Sequence, residues 1–420
     1  MFRSFSCGRS KLHLSHLNLT RAALLTEAPP SQSLNPTSAP QRAAAITRIV
    51  CTDVSRHLLQ NLLQRSRALA NPLYFLHRRF CHRALLRLDY NQQQNSHNRL
   101  SRKSSHTPTM ANIQTEEASF TTPDGHQFYT KAWKASDSRK ARLVFIHGFS
   151  DYCDTHDPLF PILAEHGITT YSFDQRGWGR SVREPAQKGL SGPTAQVMDD
   201  ITFFIKQLPE DESTPLFLMG HSMGGAQILT YASTGPKDVV SRIRGFLAEA
   251  PFIALHPSSR PWTLTVILGR LAGKLLPHQH MVNKLDASLI CRDADVCKAY
   301  EEDVLCHDTG TLEGLAGMLD RAGNLEASKV TLGEGVGEGG KTRLWLGHGT
   351  ADGICDFGAA KNWFEDVKIE DKEFKAYEGW YHKLHNEPGE DKNIFARDVA
   401  KWILDRCEGG AVVGSERARL

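Results

Sequence analysis

No stretch of this 420-residue chain approaches the 18 or so consecutive apolar residues that a membrane-spanning helix needs. Acidic side chains are nearly missing from residues 1–109, which hold 16 Lys/Arg against only Glu27, Asp53 and Asp89, a balance of +13. The remainder carries 34 basic and 44 acidic residues, a balance of −10. C-x-x-C pairs are missing too. The nine cysteines are scattered and odd in number, which argues against a disulfide framework and points to a reducing compartment. No Walker loop and no cluster of metal ligands is present. Gly177-x-Gly179 falls short of G-x-G-x-x-G, since Val182 stands where the third glycine belongs. Neither a cofactor nor a metal is implied.

The charge split divides the chain near Met110 into a basic extension, residues 1–109, and a body, residues 110–420. Arg3, Arg9, Lys11 and Arg21 precede the first acid, a composition that suits a mitochondrial transit peptide in residues 1–60. Residues 57–87 form a second basic amphipathic stretch, suited to an anionic membrane surface. No nucleic-acid-reading module accompanies either stretch, so no nucleic acid partner is expected. The simplest reading is that the functional chain starts at Met110. All three readings stay open at this level.

The body is organised around Leu216 to Ala232. Leu216-Phe217-Leu218-Met219 reads as a buried strand and runs without a loop into Gly220-His221-Ser222-Met223-Gly224, after which Ile228, Leu229 and Ala232 recur at helical spacing. Strand, abrupt turn and helix with a serine at the apex make a nucleophile elbow, in which a strained backbone lifts Ser222 Oγ clear of the sheet. Gly220 and Gly224 suit places where strand and helix approach too closely for a Cβ.

Around it, residues 119–133 predict a hairpin with Pro-Asp-Gly at its turn. Short apolar strands are expected at 142–146, 169–173, 216–219, 245–248, 342–346 and 373–377, and helices at 157–166, 194–207 and 391–406. The alternation implies an α/β fold with a mostly parallel sheet covered by helices on both faces, its active site beyond the carboxyl ends of the strands. His147-Gly148, Asp174-x-Arg176-Gly177-x-Gly179-x-Ser181, Gly220-His221-Ser222-Met223-Gly224, Gly349-Thr350-Ala351-Asp352 and Tyr377-Glu378-Gly379-x-Tyr381-His382-x-x-His385 stand in one order over residues 115–406. With these motifs the chain resembles α/β-hydrolases of the monoacylglycerol lipase group, close to the fungal members.

A serine hydroxyl needs a base, and the base needs a third group to orient it. In this fold the order is Ser, acid, His. Asp352 is the expected acid. Asp356 is its rival, with helix capping as its ordinary role. His382 and His385 both follow the last strand, and the resemblance favours His382 as base. The oxyanion donors are expected to be the backbone N–H of Met223 and, by resemblance, of Phe149. His147 and His221 read as structural histidines, and Asp174, Arg176 and Ser181 as braces of their loop. Cys355, three residues past Asp352, is either a small buried hydrophobe or a thiol beside the pocket, at whose glycerol end the resemblance places it, and Cys306 of the cap is a second candidate pocket thiol. Maleimides would then inhibit by bulk.

Residues 252–325 far exceed an ordinary connection and are expected to form a helical cap, with an apolar helix between Pro261 and Pro277 and others near 293–301 and 311–323. The cap either simply buries itself against the body or roofs the site, lining an acyl tunnel and meeting a membrane. The resemblance implies a serine hydrolase that cleaves monoacylglycerol to fatty acid and glycerol through an acyl-serine. Lysophospholipase or general carboxylesterase action on the same scaffold, and a non-catalytic binding protein of this fold, are the alternatives. A single-chain lipid ester is the expected partner, with no obligate protein partner. The expected location is cytoplasmic and peripheral on a membrane or lipid droplet, or mitochondrial if residues 1–60 direct import.

Overall fold

The computed structural model describes residues 113–407, apart from Ser136, Asp137, Glu212 and Pro261. The readings of the basic extension lie outside the described residues. In chain order the elements are β1 (Thr115–Thr121), β2 (Gln127–Trp133), β3 (Ala141–Ile146), α1 (Phe160–Glu165), β4 (Ile168–Phe173), α2 (Thr194–Gln207), β5 (Leu216–His221), α3 (Met223–Thr234) and β6 (Ile243–Glu249). The cap follows, with α4 (Thr263–Leu275), β7 (His280–Val282), α5 (Ala294–Glu302), β8 (Thr309–Thr311) and α6 (Leu312–Glu326). The body closes with β9 (Arg343–Gly349), α7 (Phe357–Asp366), β10 (Asp371–Tyr377) and α8 (Asp391–Asp405).

Eight strands form one sheet in the order β1-β2-β4-β3-β5-β6-β9-β10, parallel from β4 to β10 and antiparallel at the β1–β2 edge. The central strands are buried on both faces and largely apolar, and successive side chains go to opposite sides. Val144, Ile146, Leu216 and Leu218 join the core that α2, α3 and α7 cover, together with Leu325 of α6. Leu143, Phe145, Phe217 and Met219 join the core that α1 and α8 cover. After β3 the chain steps to β4 on one side and then to β5 on the other. This reversal opens a crevice beyond the carboxyl ends of β3 and β5, where an open α/β sheet holds its ligand.

One expectation needs correcting: the helix expected at 157–166 is only Phe160–Glu165, because residues 157–159 form a turn that follows the 3₁₀ segment Cys153–His156. The cap is buried against the body in part: Ile290, Ala322 and Leu325 pack into the body's core, whereas its first helix turns an apolar face outwards. Trp262 (84% exposed), Leu268, Leu271 and Leu275 (81%) of its first helix region face outwards. The antiparallel ribbon β7–β8 was not expected, since three residues per strand are too few to show alternation. Among the described residues no helix is long and apolar enough to cross a membrane.

Candidate active site

β5 ends at His221, and Ser222 takes φ 54° and ψ −117° before α3 begins. A positive φ on a residue with a Cβ costs on the order of 1–3 kcal/mol and persists only where the surroundings enforce it. Here the enforcement is visible. Ser222 N–H donates to Glu249 O at 2.9 Å, and Ser222 O accepts from Phe252 N–H at 2.8 Å, so the elbow is sewn to the end of β6. A Cβ on Gly224 would lie 2.1 Å from Ile146 O, so the start of α3 is pressed against the end of β3. A Cβ on Gly148 would lie 3.2 Å from Ser222 Cβ, which brings the His147-Gly148-Phe149 loop alongside the serine. Met223 opens α3, so its N–H is one of the donors that a helix start leaves without a helical acceptor.

His147 fixes that loop through its tautomer. Gln175 N–H donates to its Nε2 at 2.8 Å, which leaves Nδ1–H to donate to Gly148 O at 2.8 Å. Asp174 accepts from the N–H groups of Cys153 and Arg180, Ser181 Oγ donates to Asp174 O, and Arg176 pairs with Asp200 at 2.8 Å. These polar residues brace the loop after β4.

Asp352 sits in the turn after β9. Its Oδ1 accepts from the N–H groups of Ile354 (2.8 Å) and Cys355 (2.9 Å). Its Oδ2 takes His382 Nδ1 at 2.7 Å and His348 Nε2 at 3.0 Å. Burial alone would raise this carboxyl, but the imidazole of His382 and the hydrogen bonds from both histidines outweigh it and hold the group well below the usual carboxylate range. With Nδ1–H committed to Asp352, His382 keeps Nε2 as an acceptor. His348, fully buried four residues before the acid, had not been expected in this role. Nothing in a strand-end histidine shows which side chain it will meet across the turn.

The rivals fall elsewhere. Asp356 caps α7, accepting from Ala359 N–H at 3.0 Å. His385 Nδ1 bonds Glu249 Oε1 at 2.7 Å, away from Asp352. Cys355 is fully buried beside Ser222, and Cys306 is buried near Asp151 and Lys383, yet neither is among the residues lining the cavity. Burial pushes both thiols up, so neither offers a ready thiolate.

Ser222, His382, Phe149 and Met223 line one cavity whose remaining wall is mostly apolar, with Phe252, Leu255, Ile290 and Met318. Asp151 and Lys383 supply a charged end. A second cavity between α4 and α6 shares Phe252, Leu255, Asn283 and Met318 with the first, so the two adjoin. Among the described residues two trios, Asp352–Cys355–His382 and His221–Glu249–His385, each bring their own donor atoms within 4.8 Å of one another. In each, an imidazole nitrogen is already bonded to the carboxylate of its own group.

A serine held at a strained strand-to-helix turn, sharing an apolar cavity with an aspartate-bound histidine, is an arrangement suited to acyl transfer on a fatty ester. A family model described as serine aminopeptidase, S33, matches residues 137–389. A putative monoglyceride lipase of Schizosaccharomyces pombe is 31% identical over 292 residues, 69% of this chain and 74% of the relative. Rat monoglyceride lipase is 27% identical over 301 residues, 70% and 90% of the two chains. Among solved structures, a monoacylglycerol lipase of Paleococcus ferrophilus is similar at a TM-score of 0.56 and 26% identity, covering 66% of this chain and 99% of its own. A soluble variant of the Saccharomyces cerevisiae monoglyceride lipase with a substrate analogue reaches a TM-score of 0.63 at 24% identity, covering 72% and 99%, a likeness of fold.

Proposed function

The chain belongs to the Hydrolase_4 family and, within the α/β-hydrolases, to the monoacylglycerol lipase group, and from this premise we propose that it is a serine ester hydrolase cleaving monoacylglycerol to fatty acid and glycerol. The observation that carries the reading is the meeting of Ser222 and an Asp352-oriented His382 in the wall of a mostly apolar cavity. Ser222 Oγ attacks the ester carbonyl as His382 Nε2 takes its proton. The oxyanion collects the N–H groups of Phe149 and Met223, each such donor being worth about 3 kcal/mol of barrier. His382 then gives the proton to the glycerol oxygen, leaving an acyl-serine that water cleaves by the same steps in reverse order. Asp352 stabilises the imidazolium that forms twice in the cycle.

The acyl chain lies along the apolar cavities under the cap. The outward apolar residues Trp262, Leu268, Leu271 and Leu275 support contact between the cap and a lipid surface, from which a single-chain ester would enter. Hydrolysis of monoacylglycerols, diacylglycerols and lysophospholipids by the full chain tests the reading. Monoacylglycerol is expected to give the highest kcat/KM, and a preference for lysophospholipid would overturn the head-group assignment.

A further inference from the structure

Behind the elbow lies a run of buried titratable groups that the proposed catalytic cycle does not use. Glu249, the last residue of β6, is fully buried, and its backbone carbonyl holds Ser222 N–H. Its Oε1 meets His385 Nδ1 at 2.7 Å, with His385 N–H at 3.4 Å. His385 Nε2 lies 2.8 Å from His156 Nδ1, and His156 Nε2 lies 3.1 Å from Asp151 Oδ2. Asp151 in turn pairs with Lys383 Nζ at 3.2 Å, and Lys383 also donates to Thr155 Oγ1 at 3.0 Å. The run therefore starts beneath the nucleophile and ends on the charged wall of the cavity, one residue past His382.

Hydrogen counting gives this run a direction. Asp151, bound to a lysine, is an ionised acceptor; burial opposes this, but the Lys383 and His156 charges prevail and hold its carboxyl well below the usual range. His156 Nε2 lies 3.1 Å from that carboxylate, off the line of a well-aligned hydrogen bond, and a lone pair there would face a negative charge, so Nε2 carries the hydrogen. Burial pushes His156 down to about 3 and His385 well below the ordinary imidazole range, so each holds one ring proton only. His156 Nδ1 is then an acceptor, His385 Nε2 its donor, and His385 Nδ1 an acceptor facing Glu249. We propose that Glu249 is held as a neutral carboxylic acid, the donor at the head of a one-way chain Glu249→His385→His156→Asp151, and that this proton positions the His382 loop against the elbow. Burial pushes the Glu249 carboxyl up to about 7, which agrees with the count.

The groups facing Glu249 are His221 of β5, with Nδ1 3.8 Å from Oε1, His156 from the turn after β3, Tyr377 at the end of β10, and His382, Lys383 and His385 of the following loop. If Glu249 loses its proton while the imidazoles stay neutral, one contact in the chain becomes acceptor against acceptor. The folded-state value lies above the ordinary one. The group's contribution to stability is thus full below the ordinary carboxylate range and is lost as pH rises through about 7.

The inference rests on the serine-hydrolase reading only for its activity readout. The first test, infrared difference spectroscopy between wild type and Glu249→Gln, needs no substrate. A protonated-acid C=O band at pH 6 that fades on alkalinisation is expected, and a carboxylate band at pH 6 would overturn the proposal. The second test is kinetic. Glu249→Gln, whose amide donates to His385 at any pH, is expected to keep about half or more of wild-type kcat at pH 6 and to show a flatter alkaline limb. Glu249→Ala is expected to lose about tenfold in kcat, with KM within about twofold and the same loss in fluorophosphonate labelling of Ser222. His385→Phe added to Glu249→Ala should cost little more than either change alone. Equal losses in the Gln and Ala variants, or additive losses in the double variant, would overturn the positioning role. Failure of monoacylglycerol hydrolysis with the labelling and infrared results intact would count against the substrate reading alone.

Discussion

Helices α3 and α4 are nearly equal in length and both rich in Leu, Ile, Ala and Gly, yet they live in opposite surroundings. In α3 every residue from Met223 to Ala232 is buried between the sheet and its neighbours. In α4 Ile267, Leu268, Leu271 and Leu275 are exposed, and the preceding Trp262 with them. The first helix is apolar because it is enclosed. The second carries apolar residues on a face that nothing in the described chain encloses. Composition alone does not separate the two, because hydropathy states what a residue prefers and not what the fold places beside it.

The comparison breaks hardest at the elbow. Ser222→Ala is expected to abolish hydrolysis and fluorophosphonate labelling, and Asp352→Asn or His382→Ala to lower kcat by about 10³-fold or more. Steady-state kinetics with a folded protein by circular dichroism checks this, and a His385→Ala loss larger than that of His382→Ala would reassign the base. On the helices themselves, Ile228→Ala in α3 should cost about 2–5 kcal/mol in urea denaturation. The pair Leu271→Ser and Leu275→Ser in α4 should stay within about 1 kcal/mol yet lower partitioning onto phospholipid vesicles roughly tenfold. A destabilisation by the α4 pair equal to that of Ile228→Ala would erase the distinction.

The smallest expected effect is a pH dependence confined to the buried side. Asp352 has its folded value depressed, so its stabilisation is present above the ordinary carboxylate range and lost as pH falls through the folded value. The stability gap between wild type and Asp352→Asn should therefore narrow on acidification from pH 7, as read by chemical denaturation. A gap that widens would mean that the two histidines do not sustain the charge. Variants of the α4 face should show no such trend, since Leu and Ser do not titrate.

Residue order alone carries the strand–turn–helix around Ser222, the parallel sheet, and the order serine, acid, histidine, while the preference for His382 over His385 came from the resemblance. These are local patterns, a continuous apolar run giving way to a period of 3.6 across a glycine-flanked turn, and local patterns survive in one dimension. The helix at Thr194–Gln207 was readable to the residue for that reason. Tertiary structure alone decided which partners the buried polar groups meet. His348 reaches Asp352 across one turn, whereas His385 turns away to Glu249, a contact 136 residues distant in sequence. It also decided that Cys306 and Cys355 stay out of the cavity wall and that α4 faces outwards. The physical reason is the same in each case. A buried donor must find its acceptor, and an apolar face its cover, among residues that only the packing of distant strands brings within 3 Å.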